Sequence, residues 1–204
     1  LDKNTQAWFQ FEGPLQTNLH LEAGDRTIVY EGVRFEGLFV PVFIFRIRPS
    51  ASFGLRLFAL GGDWVDFDNV RPADRIEISG RIDLDIGRHL GIELEHLYST
   101  LDVEGGQLFT AHVPQMTAMW QFNTRTFVRA VLQYTDIRSD PDLYEDEVDE
   151  LERDFFVQLL FSYKVNPRTV FFAGYTEGGF ENQDFKMTST SRAVFLKIGY
   201  SWLW

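Results

Sequence analysis

Four carboxylates sit at alternate positions of two adjoining segments: Asp83 and Asp85 before the short Gly87-Arg88 turn, Glu93 and Glu95 after it. Folded as a hairpin, this spacing carries all four to one face. Two chemistries are then open, proton transfer between paired carboxylates and oxygen ligation of a cation. The same face holds Arg75 and Arg81, and Arg56 and Arg129 are expected to share its space. A charge withdrawn from bulk water persists by pairing, so these groups read as a network of ion pairs rather than a catalytic dyad. The four histidines are scattered along the sequence and are not expected to form a site: His20 falls on a polar face, His89 in a turn, His96 on an apolar face and His112 beside the expected bulge. Neither a Gly-x-Ser-x-Gly elbow nor a His-Glu-x-x-His pair occurs. The sequence therefore offers no catalytic residue and no cofactor site, and we expect a protein that is not an enzyme.

Charge and composition narrow the classes further. The 204 residues carry a net charge of −11, and a duplex binder needs the opposite, a basic footprint, so nucleic acid is excluded as a partner. Between Asp140 and Asp154 nine acids face one arginine, Arg153, and this run alone accounts for −8. It lacks the central glycine of an EF-hand and reads as a solvated, mobile loop, with divalent-cation binding left open. Cysteine is absent, which removes disulfides and thiolate metal sites. The longest apolar run, Leu38 to Phe45, is far short of the roughly 18–20 residues of a membrane-crossing helix. Twenty Phe and an aromatic share of 16% favour strands. No basic-then-apolar leader follows Leu1; we expect a piece of a longer chain, residues 1–204 forming one domain.

Strict apolar/polar alternation, the period of a strand with two unlike faces, recurs along the chain. Ile76, Ile78, Ile82, Leu84 and Ile86 alternate with Arg75, Glu77, Arg81, Asp83 and Asp85; Phe155, Val157, Leu159, Phe161 and Tyr163 alternate with Asp154, Gln158, Ser162 and Lys164. Turn residues divide the chain into about ten strands, expected at 4–22, 33–48, 51–67, 75–86, 89–103, 107–122, 126–138, 154–165, 169–178 and 191–204. A bulge is expected at His112-Val113-Pro114-Gln115, where the phase changes. Tight turns near Pro49, Gly87, Asn123 and Pro167 alternate with mostly longer connections, including 23–30, 69–74 and 139–153. That asymmetry is expected of a transmembrane barrel with a short-turn periplasmic rim and a long-loop outer rim.

Alternation alone also fits a soluble lipid-binding barrel with its apolar face inside. Three features favour the membrane arrangement. The strands are long. The polar face, with Arg75, Arg81, Asp83, Asp85, Glu93, Glu95, Arg129, Gln133, Lys164 and Lys197, balances its own charge as a lumen lining should. Aromatics gather near strand ends (Tyr98, Trp120, Phe122, Tyr134, Tyr163, Tyr175, Trp202, Trp204), as in interfacial girdles. Leu196, Ile198, Tyr200, Trp202 and Trp204 share one face of the last strand, which resembles the C-terminal signal read by the barrel-assembly machinery.

The resemblance extends inward. Trp120 to Arg129 (WQFNTRTFVR) with Leu132-Gln133-Tyr134, Gln158 to Lys164 (QLLFSYK) with Asn166-Pro167, Phe172-Ala173-Gly174-Tyr175, and Phe195 to Tyr200 (FLKIGY) are similar to a family of uncharacterised bacterial outer-membrane β-barrels. In that family the barrel follows a carbohydrate-binding, family 9-like module. The similarity covers roughly Arg46 to Trp204. It implies an all-β, antiparallel transmembrane barrel in the outer membrane of a Gram-negative bacterium, of which this chain holds the C-terminal part. It implies a porin-like pore, an uptake component or a membrane anchor, and as alternatives a subunit of an envelope assembly. Its partners would be outer-membrane lipid and lipopolysaccharide, the assembly machinery and other envelope proteins. It assigns no catalytic residues.

Overall fold

The computed structural model describes residues 5–181 and 187–202, which form a single antiparallel sheet of eleven strands. In chain order these are β1 (Thr5–Gly13), β2 (Thr17–Tyr30), β3 (Val33–Ser50), β4 (Phe53–Asp66), β5 (Arg71–Ile86), β6 (Leu90–Val103), β7 (Gly106–Asn123), β8 (Thr126–Ser139), β9 (Leu151–Asn166), β10 (Thr169–Glu181) and β11 (Met187–Tyr200). Each strand pairs with its chain neighbours only, so among the described residues β1 and β11 keep one free edge apiece.

The eleventh strand comes from the N-terminal segment. The span 4–22, expected as one strand, instead holds β1 from Thr5 and the first part of β2, joined at Pro14-Leu15-Gln16, with Leu15 and Gln16 at φ 59 and 56. Two left-handed residues make the turn whose twist suits a hairpin, a place normally held by Asn-Gly. The expected connection 23–30 is instead the second half of β2, which returns through Glu31-Gly32 at φ 48 and 81. The bulge also moves. Register is unbroken from His112↔Asp136 to Gln115↔Gln133, and the extra residue is Leu108, between the pairs Leu101↔Phe109 and Asp102↔Gln107. Leu108 is only 1% exposed, so its burial explains why the chain spends a residue there. Pro114 does something else: the ladder to β8 skips Val113 and Pro114, since proline has no N–H to donate.

The two faces differ in chemistry as the alternation requires. Ile78 (47%), Phe161 (36%) and Trp202 (77%) stand exposed on the apolar face, whereas the Arg81 side chain opposite is 29% exposed. On β11 the outward apolar run is Val194, Leu196, Ile198 and Tyr200, followed by Trp202 and closed by Arg192; on β9 it is Phe155, Val157, Leu159, Phe161 and Tyr163, closed by Arg153. About nine residues of tilted strand span roughly 22–24 Å, close to the ~25 Å apolar band of a membrane barrel.

The belt also reports the tilt. The row of opposed residues through Ile198 on β11 crosses β9 at Tyr163, while the row through Phe9 on β1 reaches β9 at Arg153. The belt thus climbs about ten residues over ten strand steps, roughly one residue per strand. With a rise of ~3.3 Å and a spacing of ~4.8 Å, the strands lean by roughly 35°. A membrane barrel requires a lean of about 35–45°.

Candidate functional site: a charged wall beneath a latched loop

On the polar face, Arg46, Arg56, Arg81, Glu95, Gln115 and Gln133 lie directly opposite one another across β3 to β8. The next row holds Asp83, Glu93 and Thr117. Arg81 is the hub: Nε donates to Asp83 at 3.0 Å, one terminal amino group to Glu95 at 2.8 Å and the other to Glu93. Arg56 approaches Asp83 at 3.5 Å, and Gln115 donates to Glu95 at 3.3 Å. Hairpin pairing of β5 with β6 creates this cluster, because alternate residues of both strands point the same way.

Asp85 lies apart from the hub, 3.6 Å from Arg48. Arg75 pairs with Glu77 and stacks over the Trp64 ring at 5.0 Å. Arg129 donates to Gln158 at 3.0 Å. Lys164 and Lys197 share the face at the far end of the sheet, opposite Val170 and Phe172. Three carboxylates gathered on one guanidinium hold charge in place, and no group of three or more metal-ligating side chains occurs among the described residues.

The acidic connection between β8 and β9 departs from expectation. Its first half is anchored, not loose. Asp140 caps a single turn, Pro141–Leu143, and Leu143 and Tyr144 pack against Ala73, Leu101 and Leu108 with Trp64, Val103 and Phe109 around them. Those residues belong to the polar face of β4 to β7, so the loop folds inward over the wall and makes that face the inner one. Arg71 donates to the Leu143 carbonyl, and the Glu145 N–H donates to Asn69 at 2.8 Å. Arg71 is itself held by Asp66, 1% exposed, at 2.8 Å; Asp66 also accepts from the Asn69 side chain at 2.7 Å. The β4–β5 turn is therefore a preformed clasp, and the loop is a strap crossing above β6 and β7 to reach it. Sequence reasoning missed the clasp; its only signal was the apolar pair Leu143-Tyr144 inside an acidic run.

Burial pushes the Tyr144 hydroxyl above the ordinary phenol pKa, and the nearby Asp66 and Asp68 charges add to the effect. Docking is then fully supported below the value of the free phenol and is lost as pH rises through the higher docked value. We expect an alkaline transition in Trp64 fluorescence above about pH 10 that is absent in Tyr144→Phe. An identical transition in that variant would detach phenol ionisation from the strap.

The last strand presents Leu196, Ile198 and Tyr200 outward on a free edge, with Trp202 following and its ring 4.9 Å from that of Tyr200. Trp204 lies outside the described residues.

No protein-family model matches the chain, and no curated protein matches it. Solved structures do. The outer-membrane channel DcaP of Acinetobacter baumannii superposes with TM-score 0.61 at 13% identity, over 97% of this chain and 62% of that one. The fold is that of bacterial outer-membrane β-barrels. OmpT of Vibrio cholerae, an outer-membrane protein, matches with TM-score 0.58 at 15% identity, over 97% of this chain and 65% of its own. A trimer form of OmpT gives 0.58 at 16% identity, over 97% and 64%. The chain thus spans less than two thirds of the length of these barrels.

Proposed function

We propose that this chain is the wall of a non-enzymatic pore or uptake component in the outer membrane of a Gram-negative bacterium, residues 1–204 forming one barrel domain. The observation that carries this reading is the strap. A barrel serving only as an anchor has no use for a loop latched across its inner face, whereas a pore uses one to set its opening. The wall below is charged yet internally compensated around Arg81, so the wall is wet without strongly favouring either sign of ion. The acidic strap supplies the excess charge and favours cations at the mouth. Similarity to the DcaP channel supports the pore reading over an anchor. The outward face of β11 suits recognition by the assembly machinery.

Single-channel recording of the full-length protein in planar bilayers tests the proposal. Discrete conductance steps with a reversal potential on the cation side are expected. Silence from protein shown to be membrane-inserted would overturn the pore and leave the anchor, or a structural subunit of an envelope assembly.

A further inference from the structure

The outward face is apolar through its belt and turns polar at the edge nearest the strap. On β6 to β8 that edge is a groove, not a simple boundary. His96 and His112 stack with rings 5.5 Å apart and 9° from parallel, and His112 Nδ1 lies 3.4 Å from His96 Nε2. The Tyr98 ring sits 4.9 Å from His112. In the same row Arg153 holds Asp136 at 2.7 Å, and Arg138 reaches Asp136 through Nε alone at 3.2 Å. Arg153 balances Asp136, and the Arg138 guanidinium, 68% exposed, keeps both terminal amino groups without a hydrogen bond among the described residues. The other carboxylate of the groove, Asp140, is committed to capping the Pro141–Leu143 turn. Pro114 lines the groove where the ladder between β7 and β8 lacks two pairs.

We propose that this groove binds the phosphate of an outer-leaflet glycolipid, with the acyl chains lying along the belt below. The inference rests on the membrane reading. Its position supports it: headgroup phosphates lie where an apolar belt gives way to polar side chains. Its chemistry does as well, because a guanidinium with two free amino groups matches two phosphate oxygens, and the ring nitrogen of His112 remote from His96 offers a third contact. Leu94, Met116 and Leu132 form the row just inside the belt, with Leu94 39% and Leu132 40% exposed, ready to receive hydrocarbon.

The test uses full-length protein in phosphatidylcholine vesicles, titrated with lipid A carrying its phosphates or with dephosphorylated lipid A of the same acyl chains. Bound lipid is measured by mass spectrometry. Phosphorylated lipid A should bind at one saturable site, about ten-fold more weakly in Arg138→Ala and His112→Ala, unchanged in Lys197→Ala on the inner face, and largely restored in Arg138→Lys. Equal binding of the dephosphorylated lipid, unchanged binding in both alanine variants, or full displacement by millimolar inorganic phosphate would overturn the lipid assignment. So would crosslinking that shows a second copy seated on the groove. Failure of the wild-type chain to enter vesicles at all would instead refute the membrane reading.

Discussion

Single-channel conductance rises by about two-fold or more in Leu143→Asp, with cation preference reduced, while the barrel remains intact. The strap is held by Leu143 and Tyr144 among Ala73, Leu101 and Leu108 and by the Arg71 bond to the Leu143 carbonyl. Withdrawing the half-buried Leu143 side chain removes about 1–2 kcal/mol, and placing a carboxylate in that cluster adds to the cost. A swing of this size moves a latched equilibrium by two or more orders of magnitude. Arg71→Ala should act in the same direction more weakly, since it deletes the hydrogen bond and leaves Asp66 buried without its arginine. Steps identical to wild type in both variants would show that the strap does not lie in the conduction path. Heat-modifiable gel mobility distinguishes an opened strap from an unfolded barrel.

Leu159→Arg should destabilise the inserted protein by ~2–4 kcal/mol, the penalty for arginine near the middle of the lipid face. Leu159 stands 45% exposed at the centre of the β9 belt. Thr117→Arg, on the inner face directly opposite Glu93, should be nearly neutral. Chemical denaturation from lipid vesicles reads both. If the inner substitution were the costly one, the faces would be reversed and the chain would be a soluble barrel with a greasy interior.

The sheet was legible because alternation depends on side-chain chemistry alone. The Ile and Phe sets of β5 and β9 and the opposed set of Arg81, Asp83, Glu93 and Glu95 follow from a period of two, whatever lies at the strand ends. The first hairpin was illegible for an equally physical reason. Its left-handed positions are Leu15 and Gln16, residue types that carry no turn signal, so β1 and β2 read as one strand. The bulge was displaced because Pro114 advertises an irregularity that the backbone absorbs by skipping two pairs, whereas Leu108 looks like any strand leucine. The anchored strap was hidden by its composition. An acidic run reads as solvated, and only three-dimensional pairing could reveal that Asp66, Arg71 and Asn69, about seventy residues earlier, wait to grip Leu143 and Glu145.

In the proposed pore, two quantities a designer would prefer to adjust separately would share that one connection: the bore left open to a solute and the sign of ion admitted. The wall would not compensate for the loss of that charge, because its arginines and carboxylates cancel locally around Arg81. A shortening of the strap would widen and neutralise the entrance in the same stroke, and an added basic residue would change permeability without changing size only if the Leu143 anchor were kept.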